Sequence, residues 1–490
     1  MTYSASDKPT RGAGQRIANN LSWLTGQETI SRCIGFFISI YMARVLSQSD
    51  YGSIGICLTL MAILSSLVQI GSGTRAARLT ATDPSLIADQ HAEVTGLRIL
   101  MTLFLMLSVA LLHEPLGEAL SIPPDLLLLG TALLLKPCFT VAWAFRGLDR
   151  MAPLALSGIL ERLLVLVGLL TLVRGGVSDT YLVIGLEVCG AIAGLIWLRV
   201  MLRRQQGKRL PIRFDLVNWG PMLRESLPIS LASLIGSIYR YGDILLLGLL
   251  ANSATAAIYL VAQKVVLTAA LLPILVAKAA FPSTSRMVHS DPGATAQLQS
   301  VLVRLTLVAT LPITAAMILL AEPIILQLFG QNYKAAVVVF QVLSLTLPLF
   351  ALGTFQETFL MALPRPRALL NCRIISSAVH VVLVALLIPD FGATGAAIGC
   401  LAGQLAFTIA TAIAWYRTGR PLPLSLRLLA PLGASAIAAV TFLLIPDAGP
   451  WLKAFIAAIV YIMAVFLFRG VDLEELKVGL SHLHQSTSRA

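Results

Sequence analysis

Residues 227–250 read LPISLASLIGSIYRYGDILLLGLL. The stretch is about the length of a membrane-spanning helix, yet it carries Arg240 and Asp243 near its middle. An ionised side chain at that depth costs between ~2.5 and ~17 kcal/mol, depending on the reference, unless it is paired or faces water. Three residues apart on a helix, the two side chains share one face. Two readings follow. The residues form a self-neutralising pair that fixes helix packing, or Arg240 lines a cavity and holds something anionic.

The chain around this stretch is of the same kind. Of 490 residues, 57% are hydrophobic and 12% charged, and the mean hydropathy is +0.84. Soluble domains carry about twice that charged fraction. Segments long enough to span lie near 21–44, 52–70, 93–112, 125–146, 153–173, 180–199 and 227–250. More follow near 257–280, 302–321, 336–361, 368–388, 395–416, 424–445 and 451–468. Pro, Gly, Asp and Asn clusters such as SQSDYG, SIPPD and IPDAGP separate them. The fold class expected is an all-α polytopic membrane protein of about 14 transmembrane helices. The polar, basic start lacks the short apolar region and small-residue cleavage site of a signal peptide, so the first helix is expected to be retained. Cys33, Cys57, Cys138, Cys189, Cys372 and Cys400 all fall in apolar segments without metal-ligand spacing. They read as small buried hydrophobes, with no disulfide, metal or cofactor.

The net charge of +12 is topological rather than a nucleic-acid footprint. Arg75, Arg78, Arg146, Arg150, the run from Arg199 to Arg224, Arg365, Arg367, Arg373, Arg417 and Arg420 share one set of loops with both termini. The alternate loops hold only Arg44, Arg174, Lys334 and Lys453, among many acids. The positive-inside rule then puts both termini in the cytoplasm. The basic run reads as a topology determinant and a contact for anionic lipid heads. An internal repeat supports a division there. A shift of 208 places Arg32 on Arg240 and Tyr51 on Tyr259, and LLHEP at 111–115 on LLAEP at 319–323. The expected organisation is a lobe at 1–200, a basic loop at 201–225, a second lobe at 226–420, and two extra helices with a tail at 421–490. Two lobes in one orientation make a parallel repeat.

With the repeat in place, NNLSWLTGQETISRCIGFFISIYMARVLSQSDYG, LPISLASLIGSIYRYGDILLLGLLANSATAAIYLVAQKV, LFGQNYKAA and FGATGAAIG resemble a known family. It is the bacterial polysaccharide (O-antigen/exopolysaccharide type) flippases of the multidrug/oligosaccharidyl-lipid/polysaccharide exporter superfamily. The resemblance covers most of residues 20–416. It implies two six-helix lobes, a central cavity, alternating access at the inner membrane and a substrate of undecaprenyl diphosphate bearing a sugar unit. It implies as partners that polyprenyl-diphosphate-linked oligosaccharide, membrane lipids, and polysaccharide polymerase or chain-length assembly proteins, with no nucleic acid and no catalysis.

A diphosphate crossing the membrane needs cations at depth, and Arg suits phosphate geometrically. The candidates are Arg32, Lys136, Arg162, Arg240 and Lys264. Glu28, four residues before Arg32, is placed to pair with it. Lys136 precedes Pro137, where a kink is expected. Glu28, Glu161, Glu187, Asp243 and Glu357 are pairing partners or ion-coupling acids. His380 reads as a neutral packing histidine or a proton relay. Arg98, Lys278 and Arg304 lie near helix ends and are expected to snorkel. Gln27, Gln341, Gln356, Gln404, Ser344 and Thr354 line a sugar path or bond helix to helix. The alternatives are a multidrug or peptidoglycan-precursor exporter of the same superfamily, or a membrane glycan polymerase or ligase. An enzyme of that kind should show a sizeable outer loop with catalytic Arg or His, and the outer loops here are short.

Overall fold

The computed structural model describes residues 11–176, 179–206, 210–214, 216–271, 273–277, 292–363, 366–419, 429–445 and 448–468. Among these the chain is helical, with 10 helices long and apolar enough to cross a membrane and two shorter apolar ones. It is a multi-pass membrane protein. Lys278 lies outside the described residues, as do the loop cations Arg286, Arg365, Arg420 and Arg427.

The first half contains α1 (Arg11–Val45), α2 (Gln48–Gln69), α3 (Ser72–Thr82), α4 (Ile87–Leu120), α5 (Pro124–Gly130), α6 (Leu135–Phe139), α7 (Ala142–Gly147), α8 (Ala152–Leu172) and α9 (Asp179–Gln206). The second half contains α10 (Leu216–Leu250), α11 (Ser253–Ala269), α12 (Pro292–Leu319), α13 (Ala321–Phe329), α14 (Ala336–Ser344), α15 (Thr346–Met361) and α16 (Pro366–Tyr416). Two further helices, α17 (Leu429–Leu444) and α18 (Pro450–Leu467), follow.

The helices after the two long ones start alike. The Ser47 hydroxyl caps α2 by accepting from the Asp50 N–H at 3.1 Å. The Asn252 carboxamide caps α11 by accepting from the Thr255 N–H at 2.9 Å. Each cap occupies an otherwise orphaned helix N–H. Val45 and Leu250 end the two preceding helices, both 35 residues long. These landmarks recur three residues short of the 208 shift, so Arg32 and Arg240 differ by nearly a turn along equivalent helices. Gly52 of the DYG turn lies against the Ser253 backbone, where a β-carbon would clash. Its missing side chain lets α2 and α11 meet.

Two expected spans are built differently from plain helices. Residues 125–146 form α5, a 3₁₀ turn, α6 and α7, broken at extended Thr140. Pro137 lies just before the break, as the expected kink requires. Irregular backbone is tolerated within a membrane only where its carbonyls find donors. Arg98 supplies them: its Nη1 donates to the Pro137 and Thr140 carbonyls at 3.3 and 3.4 Å, and its Nε to Ser72 Oγ at 3.1 Å. Arg98 is 1% exposed, so the expectation that it snorkels is wrong. The freed carbonyls hold the guanidinium inside. Arg304 is buried as well, contrary to the same expectation. The other unusual span is α16, which turns at Gly392, whose φ of 53° suits a residue without a β-carbon. Gly395, Gly399 and Gly403 then pack against Leu387, Val384 and His380. Small residues at four-residue spacing permit that approach.

The largest apolar core joins both halves towards the face carrying the α1–α2 and α10–α11 turns, through Leu46, Tyr51, Leu126, Leu247, Phe329 and Tyr333. Towards the face carrying the Arg-rich loops, the core divides. Trp143, Phe145 and Leu202 pack with Trp219 and Met222 of α10. Phe355, Phe359 and Trp415 form a separate cluster. The helices α17 and α18 pack on each other and on α12, and the Tyr461 hydroxyl donates to the Val308 carbonyl at 2.6 Å. Cys33 and Cys189 are exposed. The burial expected of them from their apolar neighbours therefore fails.

Candidate functional site

The intramembrane charges separate into two groups. The first gathers residues from α1, α6, α8, α9, α10 and α11. Arg32 Nη2 contacts Glu28 Oε1 at 2.9 Å, and its Nη1 donates to the Leu267 carbonyl of α11 at 3.3 Å. Arg162 Nη1 lies 3.1 and 3.3 Å from the two carboxylate oxygens of Glu187. Lys136 Nζ lies 2.5 Å from Glu161 Oε2. Neighbours in a helix point about 100° apart, so Glu161 and Arg162 take partners on different helices. Lys264 sits within electrostatic reach of Arg162, Glu187 and Arg32. Arg162 also lies within reach of Tyr241, the neighbour of Arg240.

Arg240 is exposed, with its guanidinium carbon 6.0 Å from the Tyr241 ring centroid. Among the described residues it has no ion pair. The pair proposed with Asp243 does not form, because Asp243 turns inward to other partners. Of the five candidate cations, Arg32, Lys136 and Arg162 contact carboxylates, while Lys264 and Arg240 do not. Among the described residues, two of the five candidate cations are therefore left without a carboxylate.

The second group belongs to the second half. Asp243 is 3% exposed. Its Oδ2 accepts from the Tyr259 hydroxyl at 2.5 Å, and its Oδ1 lies 2.5 Å from His380 Nε2. Beside it, Tyr239 meets the His380 ring edge-on at 5.0 Å and donates to Gln404 Oε1 at 3.4 Å. Glu357 is bonded to Arg373 Nη2 at 2.5 Å, and Arg373 lies 4.0 Å over the Phe407 ring. Sequence reasoning put Arg373 among the loop cations. It lies seven residues inside α16, about 10 Å along the helix, and distance from Pro366 was the signal. Tyr239, Tyr241 and Tyr259 were missed because aromatic residues in apolar helices usually pack. Gln356 accepts from Thr411 at 2.5 Å, and Gln341 donates to the Ile318 carbonyl at 3.2 Å. Those two link helices. Among the described residues, Gln27, Ser344 and Thr354 bond within their own helices.

At the Arg-rich face, Glu225 of α10 meets Arg75 Nε at 2.9 Å and also contacts Arg78. The Arg75 hydrogen bond, with the charges of Arg75 and Arg78, holds the Glu225 carboxyl below the usual carboxylate range. The incoming segment is docked on α4: the Arg213 N–H donates to the Ala92 carbonyl at 3.2 Å, and His91 Nδ1 lies 2.8 Å from the Pro211 carbonyl.

The helices that carry these mid-membrane charges make up a polytopic all-α membrane protein. The lipid II flippase MurJ in an inward closed conformation superposes with a TM-score of 0.72 at 14% identity, over 92% of this chain and 99% of that one. An inward-facing multidrug resistance MATE family transporter of the MOP superfamily gives 0.62 at 13% identity, over 79% and 94%. In sequence, a protein of Shigella dysenteriae named "Putative O-antigen transporter" is 23% identical over 374 residues, 75% of this chain and 91% of its own length. Residues 17–288 match the polysaccharide biosynthesis protein family, and the chain belongs to that family.

Proposed function

We propose that the protein flips undecaprenyl-diphosphate-linked oligosaccharide units across the bacterial inner membrane by alternating access, for polysaccharide assembly. The observation that carries this is that, among the described residues, Arg240 and Lys264 have no carboxylate partner, with Lys264 in electrostatic reach of the carboxylate-bound Arg32 and Arg162. A permanently unpaired charge at mid-membrane is costly, and an anionic substrate removes the cost when it binds. Membership of the polysaccharide biosynthesis family and the resemblance to the O-antigen relative favour a polyprenyl diphosphate as that anion. Arg-rich loops and termini lie at the cytoplasm in this reading. The core, continuous at one face and divided at the other, supports a cavity entered from the Arg-rich side. Residues 1–200 and 226–420 act as the lobes, and residues 421–490 add two peripheral helices. Lys136 and Arg162 serve as structural partners that neutralise Glu161 and Glu187. A peptidoglycan-precursor exporter shares the diphosphate and differs in the glycan.

The test is binding and export together. Arg240→Ala and Lys264→Met each weaken undecaprenyl diphosphate binding by about 10- to 100-fold, the value of a charge-assisted hydrogen bond. Cells carrying either variant accumulate lipid-linked repeat units on the cytoplasmic side, with protein level and insertion unchanged. Full export by a stable Arg240→Ala, Lys264→Met double variant sinks the proposal. Accumulation of lipid II instead of repeat units assigns the chain to the peptidoglycan precursor.

A further inference from the structure

We infer that Arg199 and Arg203 of α9 hold the headgroup phosphate of one anionic glycerophospholipid, drawn from the leaflet at the Arg-rich face. The inference stands apart from the transport reading, because neither residue belongs to the mid-membrane group of cations.

The two arginines sit at headgroup level. α9 starts at Asp179, on the face of the α1–α2 turn. Just before that start the Val173 carbonyl accepts from the Tyr41 hydroxyl, one turn from the end of α1, at 2.9 Å. Arg199 comes 20 residues after Asp179, about 30 Å along the helix, which is the thickness of the hydrocarbon core. Arg203 lies a further turn out. Arg240, by contrast, is only about 15 Å from the corresponding end of its helix at Leu250.

The same face of α9 is a track for acyl chains. Ile192, Ile196, Arg199 and Arg203 follow one another at three- and four-residue spacing, so their side chains form one stripe. Ile192 and Ile196 are exposed, and within a membrane an exposed apolar side chain meets lipid. Ile196 is nine residues from Glu187, about 180° around the helix. Glu187 meets Arg162 of the mid-membrane group, so the stripe looks away from the substrate cations.

The guanidiniums at the end of the track lack a counter-charge. Among the described residues no carboxylate contacts Arg98, Arg146, Arg199 or Arg203, whereas Arg75 and Arg78 share Glu225. Arg203 is within electrostatic reach of Arg199, and Arg146 of Arg98. Arg98 and Arg199 both act on Cys138. Like charges gathered without an acid repel one another, and an anion among them removes the repulsion.

Arg199 is also held in place before any ligand arrives. Its Nε donates to the Phe139 carbonyl at 3.2 Å, and its guanidinium carbon lies 5.1 Å from the Phe139 ring centroid. Its Nη2 is buried with no acceptor among the protein groups, so donor capacity remains after the carbonyl bond is made. A fixed planar fork suits a phosphate better than a mobile one does. Diffuse attraction of a basic loop to anionic lipid needs only net charge. Here the fixed fork, the apolar stripe and the depth coincide at one place. A phosphate bound there also steadies the broken span, because Arg199 joins it to Phe139, beside the carbonyls that Arg98 holds.

The test reads lipid at that one spot. Ile196→Cys, in full-length protein with the six native cysteines replaced, carries a bimane label in phosphatidylcholine nanodiscs. The discs contain a minor fraction of phosphatidylglycerol with brominated, fluorescence-quenching acyl chains. Ile462→Cys on α18, equally exposed, carries the same label and reports ordinary boundary lipid. Phosphatidylglycerol should be enriched at position 196 over position 462 by about tenfold, while brominated phosphatidylcholine quenches both alike. Arg199→Gln and Arg203→Gln should each cut the enrichment about fivefold, the value of one basic residue at an anionic lipid surface. Arg204→Gln removes the same charge from a position about 100° around the helix and should keep it. Arg203 makes no hydrogen bond or ion pair among the described residues, so its variant probes the site even if Arg199→Gln fails to fold. Equal quenching at the two positions overturns the proposal. So does an enrichment that survives Arg203→Gln, or one that Arg204→Gln reduces as much. Displacement of phosphatidylglycerol by inorganic phosphate reveals a free-anion site, and displacement by a trace of undecaprenyl diphosphate reveals an entry site for that lipid. Either result overturns the assignment to a phospholipid.

Discussion

Arg98, Arg162 and Arg240 are the same residue type in the same kind of helix, and their surroundings give them three roles. Arg98 closes the hydrogen-bonding gap of the broken span at Thr140. Arg162 is held by Glu187. Arg240 is exposed and, among the described residues, has no carboxylate partner, which suits it to an exchangeable one. The pair Lys136–Glu161 offers a measurement of what the fixed ion pairs contribute. Glu161 has 9% of its side chain exposed and Lys136 has 42%. Lys136→Met strands the carboxylate, which for a fully dry pair costs about 3–5 kcal/mol. Water reaching the lysine end reduces that to about 2 kcal/mol. The expected result is a lowered melting temperature for Lys136→Met and substantial recovery in Lys136→Met, Glu161→Leu. A double variant melting below the single one contradicts the account.

At the scale of elements, α10 is the helix that ties the halves together. Its Arg-rich end packs Trp219 and Met222 into the first-half cluster, and Glu225 bridges to α3 through Arg75 and Arg78. Further along, it carries Arg240 and Asp243. The Glu225 contact has a defined pH sign. Because its carboxyl is depressed in the folded protein, the contribution is complete above the free glutamate value of about 4.3. It is lost as pH falls through the lower folded value. Raising salt to about 1 M shortens the screening length to about 3 Å and weakens it too. A spin label at Gly220→Cys should therefore be immobile at pH 7 in low salt. It should gain mobility in 1 M salt, as pH is lowered through the depressed range of the carboxyl, or on Glu225→Gln at pH 7. Equal mobility under all four conditions shows that the bridge holds nothing.

For the whole molecule, the core is continuous at one face and divided at the other, which suits one end of the alternating-access cycle proposed above. At the closed face Ser49 Oγ and Ser253 Oγ, on α2 and α11, are 2.9 Å apart. Arg44 reaches the Leu328 carbonyl at 2.8 Å and also donates to Gln327. A Ser49→Cys, Ser253→Cys protein oxidised to the disulfide should bind undecaprenyl diphosphate with unchanged affinity and fail to export. Reduction should restore export. Export by the fully oxidised protein shows that this face need not open.

The sequence by itself determined the membrane class, the helical segments and most of the charges at depth. Each of these follows from local quantities: hydropathy over about 20 residues, loop charge and helix spacing. It also placed Glu28 beside Arg32, since residues four apart must be neighbours on a helix. Which cation meets which acid was decided only by packing. Asp243 lies 137 positions from His380, and Lys136 and Arg162 each lie 25 from their partners. Nothing local encodes those distances. Whether Arg98 or Arg304 reaches a headgroup or turns inward was likewise unreadable, because it depends on carbonyls and acceptors supplied by other helices. The glycines at 395, 399 and 403 came nearest to a tertiary signal, since their spacing announces a close helix face. Only the fold showed that His380 lies under that face, held against the carboxylate of α10.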